Sequence, residues 1–187
     1  MTQLTRIFEI ASRDLPAAGI DCLLVGGFAV NHYGYTRNTL VVDFMIVAQD
    51  LDEVRRIMRA AGFINVDIHD NVAFFSVPDE DPRVDFLRVD KSTMDKLLTN
   101  AVRTSVQGHA LRIPCLKDLM AMKIFAFSQS TERRMGKDLP DIAYLTAINN
   151  LDAAERTRGA HSQAVLHSRR HTAGSGNFAG SKHARDR

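Results

Sequence analysis

The sequence has little of what marks secreted or membrane proteins. Its 187 residues include two cysteines, Cys22 and Cys115, both in apolar surroundings, which excludes a disulfide framework and predicts reduced, buried side chains. No stretch approaches the roughly 18 apolar residues that a membrane-spanning helix needs. Residues 1–15 include acidic side chains and lack the apolar segment of a signal peptide. We therefore expect a cytoplasmic protein with no membrane partner.

The sequence also lacks a strong net charge. Its formal charge of +2 is divided unevenly, because residues 152–187 hold seven basic and three acidic residues, hence +4, which leaves −2 for residues 1–151. A nucleic-acid-binding module would need a continuous basic face on the folded part of the chain. The net negative charge of residues 1–151 argues against that class of function.

Large apolar residues are scarce after Leu151. Val165, Leu166 and Phe178 are the exceptions in a stretch dominated by Arg, His, Ser, Ala and Gly. Such a segment buries too little surface to offset the entropy lost on ordering. We therefore predict one domain at 1–151 and a disordered basic tail at 152–187. The abrupt change in composition is also compatible with a shifted reading frame or a vector-derived segment.

Apolar periodicity predicts a mixture of helices and strands in residues 1–151. Predicted helices are 3–15, 28–33, 51–61, 93–101, 116–127 and 139–149; predicted strands are 22–25, 40–47, 65–68, 72–77, 83–89 and a hairpin across 105–113. Asp50 stands where it would cap the third helix. This order predicts an α+β fold (α/β-like), with a mixed β-sheet flanked by helices and a helical part at about 115–150.

Three features carry residue types that suit phosphoryl chemistry. Gly26 and Gly27 follow a short apolar strand, and a glycine pair there lets backbone N–H groups approach a phosphate closely. Asp43 lies within the apolar strand 40–47, and Asp85 lies within the later strand 83–89. Carboxylates on strands are ligands for Mg²⁺, which bridges nucleotide phosphates.

Structural explanations exist for the same residues. A glycine pair after a strand is often only a turn. Asp43 would be explained by an ion pair with Arg37 or Arg83, because a buried carboxylate is costly without a partner. Asp85 would be explained in the same way by Arg83 or Arg88.

The order of these motifs resembles the minimal nucleotidyltransferases of the DNA polymerase β-like superfamily. That family has a Gly-Gly or Gly-Ser turn, then Asp-x-Asp, then a third acidic residue. The chain is most similar to the AbiEii-type toxin–antitoxin nucleotidyltransferases, which carry Arg-x-Thr before the acidic strand, matched by Arg37 and Thr39. Two later elements also match, the helix Lys-x-x-Ala at 123–126 and the basic-Asp-x-x-Asp element at 137–141.

The resemblance covers roughly residues 4–150 and implies a role for each motif. Gly26 and Gly27 would cradle a nucleoside triphosphate, with Arg37, Thr39 and Lys123 as further nucleotide contacts. The metal-binding and catalytic residues would be Asp43 and Asp85, holding Mg²⁺ or Mn²⁺, with Asp138 and Asp141 as supporting residues. Without the resemblance, Lys123 would be a snorkelling side chain and Lys137-Asp138 a helix-capping pair.

Position 41 departs from the family pattern. The pattern has Asp there, and this chain has Val41 on the same strand face as Asp43. Valine cannot ligate a hard cation, so a site for two metal ions is incomplete. The resemblance implies transfer of a nucleoside monophosphate from NTP to an RNA or protein hydroxyl, in a toxin–antitoxin or phage-defence system with a cognate antitoxin. The alternative is a catalytically degenerate protein that binds nucleotide or a partner.

Overall fold

The computed structural model describes residues 2–129, 132 and 135–151, and the predicted tail lies outside them. The helices are α1 Gln3–Glu9, α2 Leu15–Ala17, α3 Gly26–His32, α4 Leu51–Ala60, α5 Lys91–Thr99, α6 Leu116–Gln129 and α7 Asp138–Ile148, with a π-helical segment Ile10–Asp14 joining α1 to α2. The strands are β1 Cys22–Val25, β2 Val41–Val47, β3 Asn65–Ile68, β4 Val72–Ser76, β5 Arg83–Val89, β6 Val102–Val106 and β7 His109–Ile113.

Five strands form a mixed sheet in the order β1-β2-β5-β4-β3, and β6 and β7 form a separate hairpin. All neighbours in the large sheet are antiparallel except β2 and β5, which run parallel. A parallel pair needs a long connection, and here α4, β3 and β4 provide it. The predicted α+β fold, with a mixed sheet flanked by helices, is confirmed.

The two faces of the sheet carry separate hydrophobic clusters. Alternate residues of β2 and β5, such as Phe44 and Phe86, join the larger cluster with α1 and α4. The opposite face carries Met45 and Val47, which pack with Met94 of α5 in a smaller cluster. The smaller cluster covers only the ends of β2 and β5 that lie beyond Asp43 and Asp85. The beginning of each strand on that face carries Val41 and Asp43 on β2, and Arg83 and Asp85 on β5.

Short-range chemistry explains several element boundaries. Thr2 caps α1 by accepting a hydrogen bond from the Thr5 N–H, and Asp90 caps α5 by accepting one from the Thr93 N–H. The β6–β7 turn places Gln107 and Gly108 at positive φ, as a two-residue hairpin requires. Asp50 is the N-cap residue of α4 as predicted, although its side chain makes no capping hydrogen bond. A short 3-10 turn, Ala48–Asp50, leads into the helix.

None of the helices in the described ranges has the length and hydropathy that a bilayer crossing requires. Both cysteines are free thiols. Cys22 is buried as predicted, and burial raises the pKa of its thiol to about 12. Cys115 is only half-buried, and its Sγ contacts the Asp118 carboxylate at 3.2 Å.

Candidate functional site

The two acidic residues of the predicted site are direct neighbours across the parallel strands. Asp43 of β2 is in register with Asp85 of β5, so their side chains lie on the same sheet face. Neighbouring strands are about 4.8 Å apart, which brings the two carboxylates within reach of one ligand. The same face continues into the smaller hydrophobic cluster under α5. The structure thus brings Asp43 and Asp85 together at the edge of an apolar patch.

Gly26 fits closely against Asp43. It begins α3 directly after β1, where Val25 is in register with Asp43, and its φ is +62°. A Cβ atom at position 26 would lie 2.0 Å from Asp43 Oδ2. Glycine is therefore required here both by the backbone conformation and by the approach of the carboxylate.

Asp43 has a carboxylate oxygen without a partner in the described part of the chain. Its Oδ2 is buried and has no hydrogen-bond partner among the described residues. The predicted explanation by an ion pair is wrong for Asp43, since Arg37 pairs with Asp141 and Arg83 pairs with Asp85. An unpaired buried carboxylate is costly, so this arrangement is typical of a site that binds a cation or a proton.

The surroundings of Asp43 favour its protonated form overall. Burial raises the pKa of the Asp43 carboxyl, and the nearby Asp85 adds to the increase. Lys137, Lys123 and the backbone N–H of Gly27 act in the opposite direction. A cation bound at Oδ2 would offset the cost of burying the ionised carboxylate, because it would compensate the negative charge.

The loop between α3 and β2 packs against the glycine turn. Asn31 fixes this loop by bonding the backbone N–H and the carbonyl of Arg37, both at 3.0 Å. Thr39 Oγ1 donates to the carbonyl of Val41 at 2.9 Å. A Cβ atom at Gly27 would lie 3.0 Å from the Thr39 Cβ and Oγ1. Thr39 is thus placed beside the turn, and Gly27 leaves the space for it.

Four of the other predicted residues form one buried ion-pair network. Asp141 accepts bonds from Arg37 Nε at 2.8 Å and Nη2 at 3.1 Å, and its second oxygen lies 2.7 Å from Lys123 Nζ. Lys123 Nζ also bonds Asp138 at 2.8 Å. The Lys123 side chain is 9% exposed, so the snorkelling interpretation is wrong. The network joins the loop before β2 to α6 and α7.

Asp85 has a different partner. Arg83, two residues earlier on the same strand face, bonds both its oxygens, with Nε at 2.7 Å and Nη2 at 2.8 Å. The sequence predicted Arg83 or Arg88 as the ion-pair partner of Asp85, and the structure confirms Arg83. Arg88 instead bonds the backbone carbonyl of His69. Arg83 is also in register with Val41, the position where the family pattern has a carboxylate.

The donor set fits one hard cation and does not fit two. Asp43 offers a free buried oxygen, and Asp85 stands beside it, which suffices because Mg²⁺ often uses one or two protein carboxylates. Val41 offers no ligand, and Arg83 bonds each oxygen of Asp85, which leaves that carboxylate only its remaining lone pairs for a metal ion. Across residues 2–129, 132 and 135–151, no group of three or more His, Cys, Asp or Glu side chains has metal-binding geometry.

Two cations near the carboxylates were named in the sequence without a role in nucleotide or metal binding. Lys137 precedes α7 and is the basic group with the largest lowering effect on the pKa of Asp43. It had a sequence signal, since it is the basic residue of the element at 137–141. Arg83 also had a signal, because residues two apart on a strand share a face.

Comparisons with known proteins support the fold. No protein-family model matches the chain, and no curated protein sequence matches it. Among solved structures it is similar to the antibiotic-resistance factor ANT(2'')-Ia, with 12% identity, a TM-score of 0.65 and coverage of 91% of this chain and 100% of that one. It is also similar to an antigenic nucleotidyltransferase-like protein from Paracoccidioides brasiliensis, with 16% identity and a TM-score of 0.56. That match covers 91% of each chain.

A third similar structure is the lincosamide antibiotic adenylyltransferase LnuA bound to lincomycin. It has 14% identity and a TM-score of 0.54, and the match covers 78% of this chain and 95% of that one. All three match nearly their full length, so the likeness concerns the whole domain and not one motif. The chain therefore has the nucleotidyltransferase fold.

Proposed function

We propose that this chain is a nucleotidyltransferase that binds a nucleoside triphosphate at the Gly26-Gly27 turn and transfers its nucleoside monophosphate to a hydroxyl group. The observation that carries the proposal is the unpartnered buried oxygen of Asp43, held against Gly26 and in register with Asp85. A protein gains nothing in stability from such a carboxylate. The turn beside it begins α3, and its two glycines carry no side chain that would keep a phosphate away from the backbone.

Each residue of the site has a role in this proposal. Gly26 and Gly27 bring the backbone close to the phosphates, and Thr39 shapes the wall beside Gly27. Asp43 and Asp85 would hold one Mg²⁺ or Mn²⁺, which when bound neutralises charge on the phosphate oxygens. Lys137 adds positive charge near Asp43. Arg37, Lys123, Asp138 and Asp141 act as positioning residues, because they are already bonded to each other.

The reaction follows from these positions. The oxygen of an acceptor hydroxyl forms a bond to the α-phosphorus as the bond from phosphorus to pyrophosphate breaks, and the hydroxyl proton passes to solvent. Positioning and electrostatic stabilisation carry this kind of transfer. The AbiEii-like motifs favour RNA or protein as acceptor, with a cognate antitoxin as regulator. The similarity to ANT(2'')-Ia and LnuA adds small antibiotics with hydroxyl groups to the acceptors worth testing.

The test is incubation of the purified chain with each α-³²P-labelled NTP, with Mg²⁺ or Mn²⁺, and with RNA, protein or aminoglycoside acceptors. We expect label on one acceptor class and release of pyrophosphate. Asp43→Asn should abolish the transfer, whereas Asp95→Asn, an exposed residue on α5, should not. Absence of transfer with every acceptor would contradict the enzymatic proposal.

A second candidate function is nucleotide binding without chemistry. Val41 and the closed Arg83–Asp85 pair favour it, because together they remove ligands that a second metal ion would need. Val41→Asp separates the two functions. Transfer by Val41→Asp alone would identify the natural chain as an inactive member, and transfer by the natural chain would exclude the second candidate.

A further inference from the structure

Four side chains form a square on one face of the parallel strand pair. Val41 and Asp43 occupy alternate positions of β2, and their register partners are Arg83 and Asp85 of β5. Side chains in register on neighbouring strands are in contact range. Arg83 therefore stands beside the place where the family pattern has its first carboxylate.

Arg83 is held in place yet accessible. Its Nε and Nη2 bond the two oxygens of Asp85, and its guanidinium lies 4.5 Å from the ring centroid of Phe74, which is in register with Asp85. These contacts fix the plane of the group. The side chain remains 47% exposed, and Nη1 makes none of the hydrogen bonds found among the described residues. An external anion can therefore meet an oriented N–H donor here.

Arg83 supplies the positive charge of the square. Counted with both carboxylates ionised, Asp43 and Asp85 contribute two negative charges and Arg83 one positive charge, so the square is singly negative. A carboxylate at position 41 would make it doubly negative and would supply a ligand that a metal ion needs. Valine there removes both the charge and the ligand, while leaving the arginine. Asp43 acts on Arg83 in turn, since hydrogen bonding to Asp85 and the charges of both carboxylates raise the pKa of Arg83.

We propose that the Arg83 guanidinium contacts the nucleotide phosphates directly and supplies enough of the site's positive charge that nucleotide binding by this chain persists when divalent metal is removed. The inference rests on the proposed nucleotide site but concerns a different property of it, the source of its positive charge. Guanidinium groups bind phosphate oxygens through directed N–H donors and keep their charge at all working pH values.

The experiment measures equilibrium binding of a fluorescent ATP analogue and, by competition, of unlabelled NTPs, in EDTA and in Mg²⁺. For the natural chain, we expect the dissociation constant in EDTA to stay within about tenfold of its value in Mg²⁺. A tenfold change in the dissociation constant corresponds to about 1.4 kcal/mol of binding free energy. Arg83→Gln should weaken binding in EDTA by at least about tenfold, because a charge-assisted hydrogen bond is lost. Arg83→Lys should recover part of this loss.

Two variants serve as controls. Arg103→Gln removes an arginine from exposed β6, away from the strand pair, and should leave binding unchanged in both conditions. Val41→Asp should bind well in Mg²⁺ and poorly in EDTA, because the added carboxylate attracts metal and repels phosphate. Circular dichroism melts of all four variants check that each is folded.

The outcomes separate the two proposals. Binding by the natural chain only in Mg²⁺, with Arg83→Gln unchanged, would overturn the role of Arg83 and leave the nucleotide site standing. An equal loss in Arg103→Gln and Arg83→Gln would also overturn it, because the effect would then be general charge. Failure of the natural chain to bind any nucleotide in either condition would overturn the proposed function and this inference together.

Discussion

The molecule contains two sets of buried charges, and they are arranged in opposite ways. In the ion-pair network, Asp141 is fully buried and bonded to both Arg37 and Lys123. On the sheet face, Asp43 has a buried oxygen with no described partner, although lysines lie near enough to affect its pKa. The first set is satisfied within the protein. The second has an oxygen that no described residue bonds, which is the pattern expected of a binding site.

The difference also bears on the predicted roles of two cations. The nucleotide contacts predicted for Arg37 and Lys123 stay predictions, and in the structure these side chains pair with Asp141 and Asp138. Within the described part of the chain, Arg83 bonds Asp85, and Lys137 lowers the pKa of Asp43. The resemblance gave neither cation a nucleotide contact. Three changes test whether the two sets differ as this comparison requires.

The largest effect is expected from Asp141→Asn. This change leaves Lys123 with Asp138 alone and removes the charged partner of Arg37, and breaking one member of a buried ion pair typically costs about 3–5 kcal/mol. Urea denaturation should show this fall in the free energy of unfolding. The matched control is Asp95→Asn, whose exposed pair with Lys91 should cost less than about 1 kcal/mol. Similar losses in both variants would remove the structural role assigned to the network.

Gly26→Ala should have the next largest effect. The new Cβ would overlap Asp43 Oδ2, and alanine is also disfavoured at positive φ, so we expect a loss of about 2–3 kcal/mol and of nucleotide binding. Gly108→Ala is the control, because Gly108 has φ +83° and nothing lies within 4 Å of its Cβ position. It should show only the conformational cost, about 1 kcal/mol. Equal losses at both positions would mean that contact with Asp43 adds nothing.

Asp43→Asn should have the smallest effect on stability and the opposite sign. Because burial raises the pKa of Asp43, the folded chain keeps this proton at pH values where the unfolded chain has lost it. Stability is therefore highest below the ordinary carboxyl pKa and falls as pH rises to the raised pKa of the folded state. Asparagine does not ionise, so the variant does not lose stability as pH rises. In EDTA at pH 7 it should therefore be more stable than the natural chain by about 1–2 kcal/mol.

The measurement is urea denaturation of Asp43→Asn and the natural chain between pH 4 and pH 8. The two curves should converge at the acidic end and separate towards neutral pH. A loss of stability comparable to that of Asp141→Asn would contradict the view that Asp43 is unsatisfied in the free protein.

Much of the fold could be predicted because its signals are local. The run from Val41 to Val47 and the strand from Arg83 to Val89 were found from apolar runs and alternation, and Gly26 was found as a turn residue. Local signals could not predict that Asp43 lies beside Asp85, because this placement depends on β2 and β5 pairing in parallel after a long connection. The resemblance supplied that expectation, and alternation alone did not.

The partners in the ion-pair network could not be predicted from local pattern. Arg37 and Asp141 are 104 residues apart, and nothing near either residue in sequence identifies the other. The Arg83–Asp85 pair is the contrary case, because a separation of two residues within a strand places both on one face. The unpartnered oxygen of Asp43 is a property of the packed structure, and no pattern in one sequence reports it.

The 104-residue separation has a consequence for the order of folding. Every strand of the large sheet, and with it the Asp43–Asp85 pair, is complete by Val89. Closing a loop as long as that between Arg37 and Asp141 carries a large entropy cost unless earlier structure holds its ends. In a chain emerging from the ribosome, Arg37 and Lys123 therefore cannot form their ion pairs until α7 has been synthesised. We expect docking of α7 to be a late event, so that a nascent chain ending before Asp138 holds a formed sheet and two unsatisfied cations.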